Sequence, residues 1–243
     1  MSIVRLCGIT KKFGETIAVD KLNLEIERGE LFSLIGPNGA GKTTTIKLIA
    51  GLLHPTDGKI LIDGIDMKSE PESAKSRIGY IPDNPYIYDT LTGREFLEFI
   101  GRLYSMKDRD IKRRIDELFE IFEITEWGDM RSEGYSHGMR QRIVISSALI
   151  HSPELIIIDE PMVGLDPKSA NTVKKLFREE IEKGHTIFMS THTLSLAEEV
   201  CSKIGIINRG KLKAIGSLSE LRELSARKSK SLEELYLEIT ETV

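Results

Sequence analysis

Residues 36–43 read Gly-Pro-Asn-Gly-Ala-Gly-Lys-Thr, which matches the pattern G-x-x-x-x-G-K-[ST] of a phosphate-binding loop. The apolar run ELFSLIG (30–36) before it predicts a buried strand, and KTTTIKLIA (42–50) after it has helical spacing and stops at Gly51. Between a strand and a helix, the backbone N–H groups of such a loop can surround phosphate oxygens. This stretch therefore predicts a P-loop nucleotide-binding fold.

Two side chains of the loop have the chemistry that a nucleotide requires. Lys42 would neutralise the β- and γ-phosphates, and the hydroxyl of Thr43 would ligate Mg²⁺. The alternative interpretation is a glycine turn before a helix, with a lysine that is merely solvated. The strand and the helix on either side favour nucleotide binding over that alternative.

The stretch LIIIDEP (155–161) supplies the other half of a nucleotide site. An apolar strand that ends at Asp159 places a carboxylate beside the metal, and Glu160 would be the general base that polarises the attacking water. Adjacent acids also end ordinary buried strands, so this motif becomes specific only together with the phosphate loop. The chain has no Asn-Lys-x-Asp motif of the kind that reads guanine, which favours ATP over GTP.

Beyond these motifs, the chain alternates between strand-like and helix-like patterns. Strands are predicted at 3–9, 21–27, 30–36, 59–64, 77–82, 155–159, 186–190 and 204–208, and helices at 42–50, 167–183 and 194–201, with two helical patterns within 92–125. Asp166-Pro167 predicts a helix start, and Asn208-Arg209-Gly210 predicts a tight turn. This alternation predicts a mostly parallel sheet covered on both faces. Ten of the fifteen aromatic residues lie between Tyr80 and Tyr135. They indicate a small helical core, or such a core that also carries a partner-binding surface.

Composition and charge narrow the possible classes of protein. A net charge of −4 over 243 residues gives no overall attraction to nucleic acid or anionic lipid. No stretch approaches the roughly 20 apolar residues that span a bilayer, and MSIVRLCGITKK at the N-terminus lacks the apolar core of a signal peptide. Cys7 and Cys201 have neither metal-binding nor disulfide-like spacing, so reduced thiols in the cytosol are expected. If this protein acts at a membrane, the membrane-spanning part is expected to belong to another protein.

In their order along the chain, the motifs resemble those of the ATP-binding-cassette (ABC) family over essentially the whole sequence. The matching elements are Phe13, the loop 36–43, YIPDNP (80–85), YSHGMRQR (135–142), LIIIDEP (155–161), GLDP (164–167) and His192 in Ser-Thr-His. The resemblance implies an α/β P-loop ATPase with a mostly parallel sheet, an antiparallel β part at the N-terminus and a helical subdomain. It implies a single domain over 1–243, divided into a nucleotide-binding core (1–84 and 151–216), a helical subdomain (85–150) and a C-terminal helical tail (217–243).

The resemblance also implies roles for individual residues. Phe13 would stack on adenine, and His192 would sense the γ-phosphate. Glu160, His192 and Asp83 would form the catalytic group, and Thr43, Asp159 and Asp83 the metal site. The nucleotide would be bound by Phe13, Asn38, Gly39, Ala40, Gly41, Lys42, Thr43, Thr44, Ser136, Gly138 and Asp166. Two such domains would sandwich two ATP molecules, so Ser136 and the Gly138 amide would act on the ATP of a second ABC subunit and Asp166 would communicate across the dimer.

Two segments depart from the family pattern. Where the family has Leu-Ser-Gly-Gly-Gln, residues 135–139 read Tyr-Ser-His-Gly-Met. His137 adds a side chain where the backbone should approach phosphate, and Met139 loses a polar contact. Asp83 stands where the family has glutamine, and its carboxylate can ligate Mg²⁺ but adds negative charge beside phosphates. Because of both departures, the hydrolysis rate and the symmetry of the dimer do not follow from the family pattern. The sequence does not decide between a homodimer and a heterodimer.

The function implied by the resemblance is an ATPase subunit that powers an ABC transporter, bound to a transmembrane permease at the inner, cytoplasmic face of a membrane. The tail SLEELYLEIT (231–240) has a capping-box pattern and one apolar helical face, an ending similar to that of drug, antibiotic and polysaccharide exporters. A plain packing helix has the same pattern. The alternatives are a soluble ABC ATPase acting on nucleic acid or ribosomes and a nucleotide-dependent regulator. The basic stretch 203–230 contains no aromatic residue, so no nucleic-acid partner is expected.

Overall fold

A computed structural model describes residues 1–162, 166–223 and 231–241. These residues form ten strands and nine α-helices. The strands are β1 (Ser2–Phe13), β2 (Thr16–Glu27), β3 (Leu31–Ile35), β4 (Asp57–Ile62), β5 (Ile65–Asp66), β6 (Ile78–Ile81), β7 (Leu155–Asp159), β8 (Thr186–Thr191), β9 (Lys203–Asn208) and β10 (Lys211–Gly216). The helices are α1 (Lys42–Ile49), α2 (Pro71–Lys75), α3 (Gly93–Leu103), α4 (Asp108–Ile121), α5 (His137–Leu149), α6 (Pro167–Glu182), α7 (Leu194–Val200), α8 (Leu218–Glu223) and α9 (Leu232–Glu241). Within this described part, none of the helices combines the length and apolarity needed to span a bilayer.

The strands form two sheets. A four-stranded antiparallel sheet has the order β2-β1-β4-β5, and a six-stranded sheet has the order β10-β9-β3-β8-β7-β6, parallel except for the hairpin β9–β10. The predicted fold class is thereby confirmed. Because β3, β8 and β7 are adjacent and parallel, their carboxyl ends share one edge of the sheet. Gly36, His192 and Glu160 directly follow those three ends, so the topology brings them together.

The parallel sheet is buried on both faces. In β7, Leu155 and Ile157 pack in one cluster with α1 and the antiparallel sheet, whereas Ile156 and Ile158 pack in a second cluster with α3, α4, α5 and α6. This two-sided burial explains why the strand sequence is continuously apolar rather than alternating. It also holds the carboxyl end of β7, which carries Asp159, in one place.

Most predicted elements are confirmed, with ends that differ by a few residues. The turn predicted at 208–210 is the two-residue connection of the β9–β10 hairpin, where Arg209 has a φ of 49° and Gly210 a φ of 76°. Positive φ at both central residues is the conformation that such hairpin turns require. The sequence patterns predicted no individual element at β5, β10, α2, α5 or α8, although α5 and α8 lie in the regions for which the family resemblance implied helices.

A stacked ring pair joins the segment after α3 to the segment after α5. The rings of Tyr104 and His151 are 3.6 Å apart between centroids, and the Tyr104 hydroxyl and His151 Nε2 lie 3.2 Å and 3.1 Å from the carbonyl oxygen of Ile78. His151 Nδ1 is buried without a hydrogen-bond partner. Burial lowers the pKa of His151 to about 4, so the folded protein holds a neutral imidazole here.

We expect this histidine to make the protein less stable in mild acid. In the unfolded chain, the imidazole of His151 becomes protonated below its ordinary pKa of 6.5. In the folded protein it stays neutral until the pH is near 4. The free energy of unfolding should therefore fall between those pH values, by about 3 kcal/mol at most from this group. Urea titrations at several pH values measure this loss. The variant His151→Phe keeps a ring beside Tyr104 but cannot titrate, and an equally steep loss in that variant would contradict the assignment.

Candidate functional site

The loop between β3 and α1 has glycines at two positions where a Cβ atom would collide with neighbouring backbone. A Cβ atom on Gly36 would lie 2.3 Å from the carbonyl oxygen of Ile207, and one on Gly41 would lie 2.5 Å from that of Ala18. Gly41 also has a φ of 106° and precedes α1 without a side-chain cap on the helix. The first N–H groups of α1 therefore remain available to an anion, as a phosphate site requires.

The hairpin turn between β9 and β10 supports this loop from behind. The N–H of Gly210 donates to the carbonyl of Ala40 at 2.9 Å, and the carbonyl of Gly210 accepts from the N–H of Asp20 at 2.9 Å. Within α1, the hydroxyl of Thr45 donates to the Gly41 carbonyl at 2.8 Å. The loop is thus held by hydrogen bonds from the hairpin turn and from α1, and the hairpin turn is itself anchored to Asp20 in β2.

Lys42 lies at the centre of the loop. Its side chain is 7% exposed, and Nζ donates to the carbonyl oxygens of Gly36 at 2.7 Å and Pro37 at 3.1 Å. Burial lowers the pKa of Lys42, and the negative charges of Glu160 and Asp159 oppose that effect. The loop therefore holds a cation whose burial cost an anionic ligand would offset.

Asp159, at the end of β7, is 1% exposed and only half satisfied. Its Oδ1 accepts hydrogen bonds from the hydroxyls of Thr43, at 3.4 Å, and Ser190. Its Oδ2 is buried without a hydrogen-bond partner. Burial raises the pKa of Asp159, and the negative charges of Asp83 and Glu160 add to that rise. A carboxylate in this state is suited to a divalent cation, which would supply the missing partner.

The side chains at this site fit a metal ion that takes only some of its ligands from the protein. In the described ranges, no three His, Cys, Asp or Glu side chains converge as a complete metal site. Mg²⁺ is commonly held by one or two carboxylates together with waters and the phosphates of a nucleotide. The orphan Oδ2 of Asp159, with the Thr43 hydroxyl beside the same carboxylate, fits that mode of binding.

Glu160 follows in a strained backbone conformation, with a φ of 55°. Its Oε1 lies 2.9 Å from Nδ1 of His192, and its Oε2 accepts from the Thr191 hydroxyl at 3.3 Å and the His192 N–H at 3.4 Å. The Glu160 side chain is 18% exposed, whereas that of His192 is 62% exposed. The carboxylate is thus oriented by the end of β8, and the imidazole beside it faces open space.

These groups line one cleft of about 370 Å³. Its lining residues are Ala18, Asn38, Gly39, Ala40, Gly41, Lys42, Thr43, Thr44, Glu160 and His192. The sequence analysis named all of them except Ala18, whose carbonyl lies against Gly41. It also missed Ser190 and Thr191 as partners of the two acids, although both precede His192 at the end of a buried strand, which is a usable signal.

Phe13 and Asp83 are among the predicted residues that lie outside this lining. Phe13, at the end of β1, is 49% exposed, and Lys11 Nζ lies 5.1 Å from the centre of its ring. Asp83 is exposed on the segment after β6 and affects the cleft through its charge on Asp159.

Ser136, Gly138 and Asp166 belong to helix N-termini outside the cleft lining. Ser136 caps α5, with its hydroxyl accepting from the N–H of Met139 at 3.2 Å, and Gly138 lies in the first turn of that helix. Asp166 caps α6, accepting from the N–H groups of Lys168 at 2.9 Å and Ser169 at 3.0 Å. In GLDP, Gly164 and Leu165 lie outside the described residues, as do 224–230 of the basic stretch.

The sequence of this chain is similar to those of known proteins. A family model described as "ABC transporter" matches residues 19–163. The linearmycin resistance ATP-binding protein LnrL of Bacillus subtilis (strain 168) is 39% identical over 214 residues, which cover 88% of this chain and 69% of that protein.

Two solved structures resemble the fold closely. One, described as the structure of the ATP binding subunit of an ABC transporter, has a TM-score of 0.93 and 34% identity, covering 98% of this chain and 99% of that one. The other, a dimeric post-hydrolysis state of the ATP-binding cassette MJ0796 bound to ADP and Pi, has a TM-score of 0.81 and 28% identity, covering 88% of this chain and 98% of that one.

Proposed function

This chain belongs to the ABC transporter family, and on that premise we propose that it is the ATP-binding and ATP-hydrolysing subunit that powers a membrane exporter. The observation that carries the proposal is the single cleft in which the phosphate loop, Lys42, Glu160 and His192 meet, with Asp159 beside Thr43. The proposed nucleotide phosphates lie along the loop, where the N–H groups at the start of α1 donate to them. Lys42 Nζ then exchanges its two carbonyl partners for phosphate oxygens.

Thr43 and Asp159 would hold Mg²⁺ at this site. The ion, when bound, neutralises charge on the β- and γ-phosphates. Asp83 would approach from the segment after β6, and since it is exposed outside the cleft lining, this role requires that segment to move inward on nucleotide binding. Phe13 also lies outside the cleft lining, and its half-exposed ring at the turn between β1 and β2 would cover the adenine once the nucleotide is bound.

Glu160 would accept the proton of the attacking water. In the structure its Oε1 is occupied by His192 Nδ1 at 2.9 Å, so the two side chains hold each other. A γ-phosphate in the cleft offers the imidazole a new partner, and the turn of His192 towards it frees Oε1 for water. The water oxygen then attacks phosphorus while its proton passes to Glu160, and ADP leaves.

A second ABC subunit would complete each site. Ser136 and Gly138 lie outside the cleft of their own chain, at the start of α5, where an N–H-rich helix end can face the nucleotide of a partner. The dimeric relative supports such an assembly. His137 and Met139, in the same first turn, would alter the approach to that phosphate at both sites of a homodimer and at one site of a heterodimer. Asp166, at the start of α6, would communicate across the dimer.

The transmembrane permease subunit would dock beside α3. Tyr86, Tyr88 and Phe99 are 70%, 49% and 43% exposed, and the Tyr88 ring makes edge contacts with both of the others. Leu103, at the end of α3, adds a further side chain that is 64% exposed. This aromatic surface suits a short amphipathic helix from the permease. The relative named for linearmycin resistance supports export as the direction of transport.

Replacing Tyr86 and Phe99 together with alanine tests this docking. We expect the double variant to lose most of its co-purification with the transmembrane permease subunit, because exposed aromatic anchors carry much of such an interface. Binding of ATP by the isolated chain should stay unchanged. Leu52→Ala is the matched control, since Leu52 is 55% exposed after α1 on a different part of the surface. Unaltered co-purification of the double variant would contradict the docking surface, and capture of RNA instead of a permease would contradict the transport function.

A further inference from the structure

The C-terminal helix α9 packs against α7, α8, β9 and β10, in a cluster that includes the last residue of the strand leading into the phosphate loop. It begins at the predicted capping box, where the Glu234 N–H donates to the Ser231 hydroxyl at 3.3 Å. Leu232 and Leu235 are 0% and 1% exposed and share a cluster with Ile35, the residue before the loop. The amphipathic tail helix predicted from the sequence is therefore a firmly packed part of the core.

One side chain of α9 lines a cavity beside the nucleotide site. A cavity of about 270 Å³ lies against the main cleft and is lined by Gly36, Pro37, Asn38, His192, Leu194 and Tyr236. It shares Asn38 and His192 with the lining of that cleft. Tyr236 is half-buried and packs against the same cluster as Leu194. The ring of Tyr236 thus forms a wall of a space that opens towards His192.

The loop that carries His192 is held through its backbone. It consists of His192 and Thr193, between β8 and α7. The His192 N–H lies 3.4 Å from Glu160 Oε2, and the Thr193 N–H donates to the Thr191 hydroxyl at 3.0 Å. From the side of α7, the N–H groups of Leu196 and Ala197 donate to the Thr193 carbonyl at 3.1 Å and 3.3 Å. The His192 side chain pairs with Glu160 but is 62% exposed, so Leu194 and Tyr236, which line the cavity beside it, bound the space into which the imidazole can turn.

A second contact links the same helix to the back of the phosphate loop. Asn208 Nδ2 donates to the carbonyl of Thr240 at 3.1 Å. Asn208 ends β9, two residues before Gly210, whose N–H supports Ala40. The helix is therefore anchored to the element that fixes the phosphate loop, and the position of Tyr236 is defined relative to that loop.

We propose that Tyr236 is a positioning residue for hydrolysis: its ring, with Leu194, limits the His192 loop so that the imidazole reaches the γ-phosphate. This inference rests on the proposed function, because it assigns Tyr236 a part in the same reaction. It concerns the ring and not the hydroxyl, since the ring supplies the bulk that faces the cavity. Docking of the C-terminal helix thereby becomes a condition for turnover.

Steady-state ATPase assays on the full chain with Mg²⁺ and ATP test this role. For Tyr236→Ala we expect kcat to fall about tenfold, since misplacement of a reacting group by a fraction of an ångström has effects of that order. KM for ATP should change by less than about twofold, because the phosphate loop is untouched. Tyr236→Phe should retain the wild-type rate. Leu237→Ala is the matched control on the same helix, where Leu237 is 44% exposed.

A second variant and a second measurement separate positioning from stability. Tyr236→Leu keeps apolar packing on α9 but shortens the side chain, so it should be slow while its thermal midpoint stays close to that of the wild type. The imidazole signals of His192, identified in NMR spectra by their loss in His192→Ala, should shift in Tyr236→Ala and Tyr236→Leu but not in Leu237→Ala. A purely structural role would leave those signals in place.

The outcomes distinguish this inference from the function beneath it. A wild-type chain without ATPase activity would overturn both. An active wild type with equally active Tyr236→Ala and Tyr236→Leu variants would overturn the positioning role alone. A Tyr236→Phe variant as slow as Tyr236→Ala would also overturn it, because the hydroxyl would then be the required group.

Discussion

Glu160→Gln is expected to reduce ATP turnover by about 10²-fold or more, as happens when a general base is lost. The amide has the size of the carboxylate, so the contacts to the end of β8 and the binding of ATP should survive. Single-turnover measurements separate the two effects, because the chemical step should slow while the affinity for ATP stays near that of the wild type.

The same variant also reports on the assembly. With hydrolysis blocked, ATP should remain between two subunits, and light scattering should detect dimers that accumulate with ATP but not with ADP. Glu25→Gln is a control of the same chemistry, since Glu25 is an exposed partner of Arg5 on the antiparallel sheet. Near-normal hydrolysis by Glu160→Gln would remove Glu160 from the role of base.

Lys42→Ala should weaken the binding of ATP by roughly 2–3 kcal/mol, about a hundredfold, because a charge-assisted contact to the phosphates is lost. The fold should survive, since burial already lowers the pKa of Lys42 and so disfavours its charged form. Isothermal titration with ATP and Mg²⁺ measures the loss of affinity, and thermal unfolding measures stability.

Lys47→Ala provides the comparison within the same helix. Lys47 lies in the last turn of α1, away from the phosphate end, so its removal should leave the affinity for ATP unchanged. If Lys42→Ala bound ATP as tightly as Lys47→Ala and the wild type, the proposed phosphate site would be wrong. Equal losses in both variants would point to an effect of total charge rather than to a contact.

The sequence by itself determined the phosphate loop and the starts of two helices, because these features depend on neighbouring residues. The glycines and the lysine of residues 36–43 specify a phosphate loop because only certain residue types permit that backbone and that charge. Asp166 followed by Pro167 predicted the start of α6, and Ser231 with Glu234 predicted the start of α9. Each of these signals lies within a few residues, which is the range over which capping and backbone sterics act.

Helix α5 shows where the local signal ended. Its buried residues are Gln141, Ile143, Val144, Ile145, Ser146, Ala148 and Leu149, which surround much of the helix instead of forming one stripe. A helix buried on several sides has no clear amphipathic period, so its pattern resembles that of a buried strand. The strand β10 is missed for a related reason, since at the edge of the sheet its neighbour β9 supplies the pairing that defines it.

Only the tertiary structure decided which predicted residues meet. Glu160 and His192 are 32 positions apart and pair because β7 and β8 are neighbours. Tyr236 and His192 line one cavity because α9 packs against α7 and β9, whereas Asp83, with an equally clear motif, lies exposed outside the cleft. The spacing of apolar residues indicates only whether a single segment forms a helix or a strand. The order of strands in a sheet and the docking of a distant helix depend on the burial of apolar surface between elements, which no local pattern specifies.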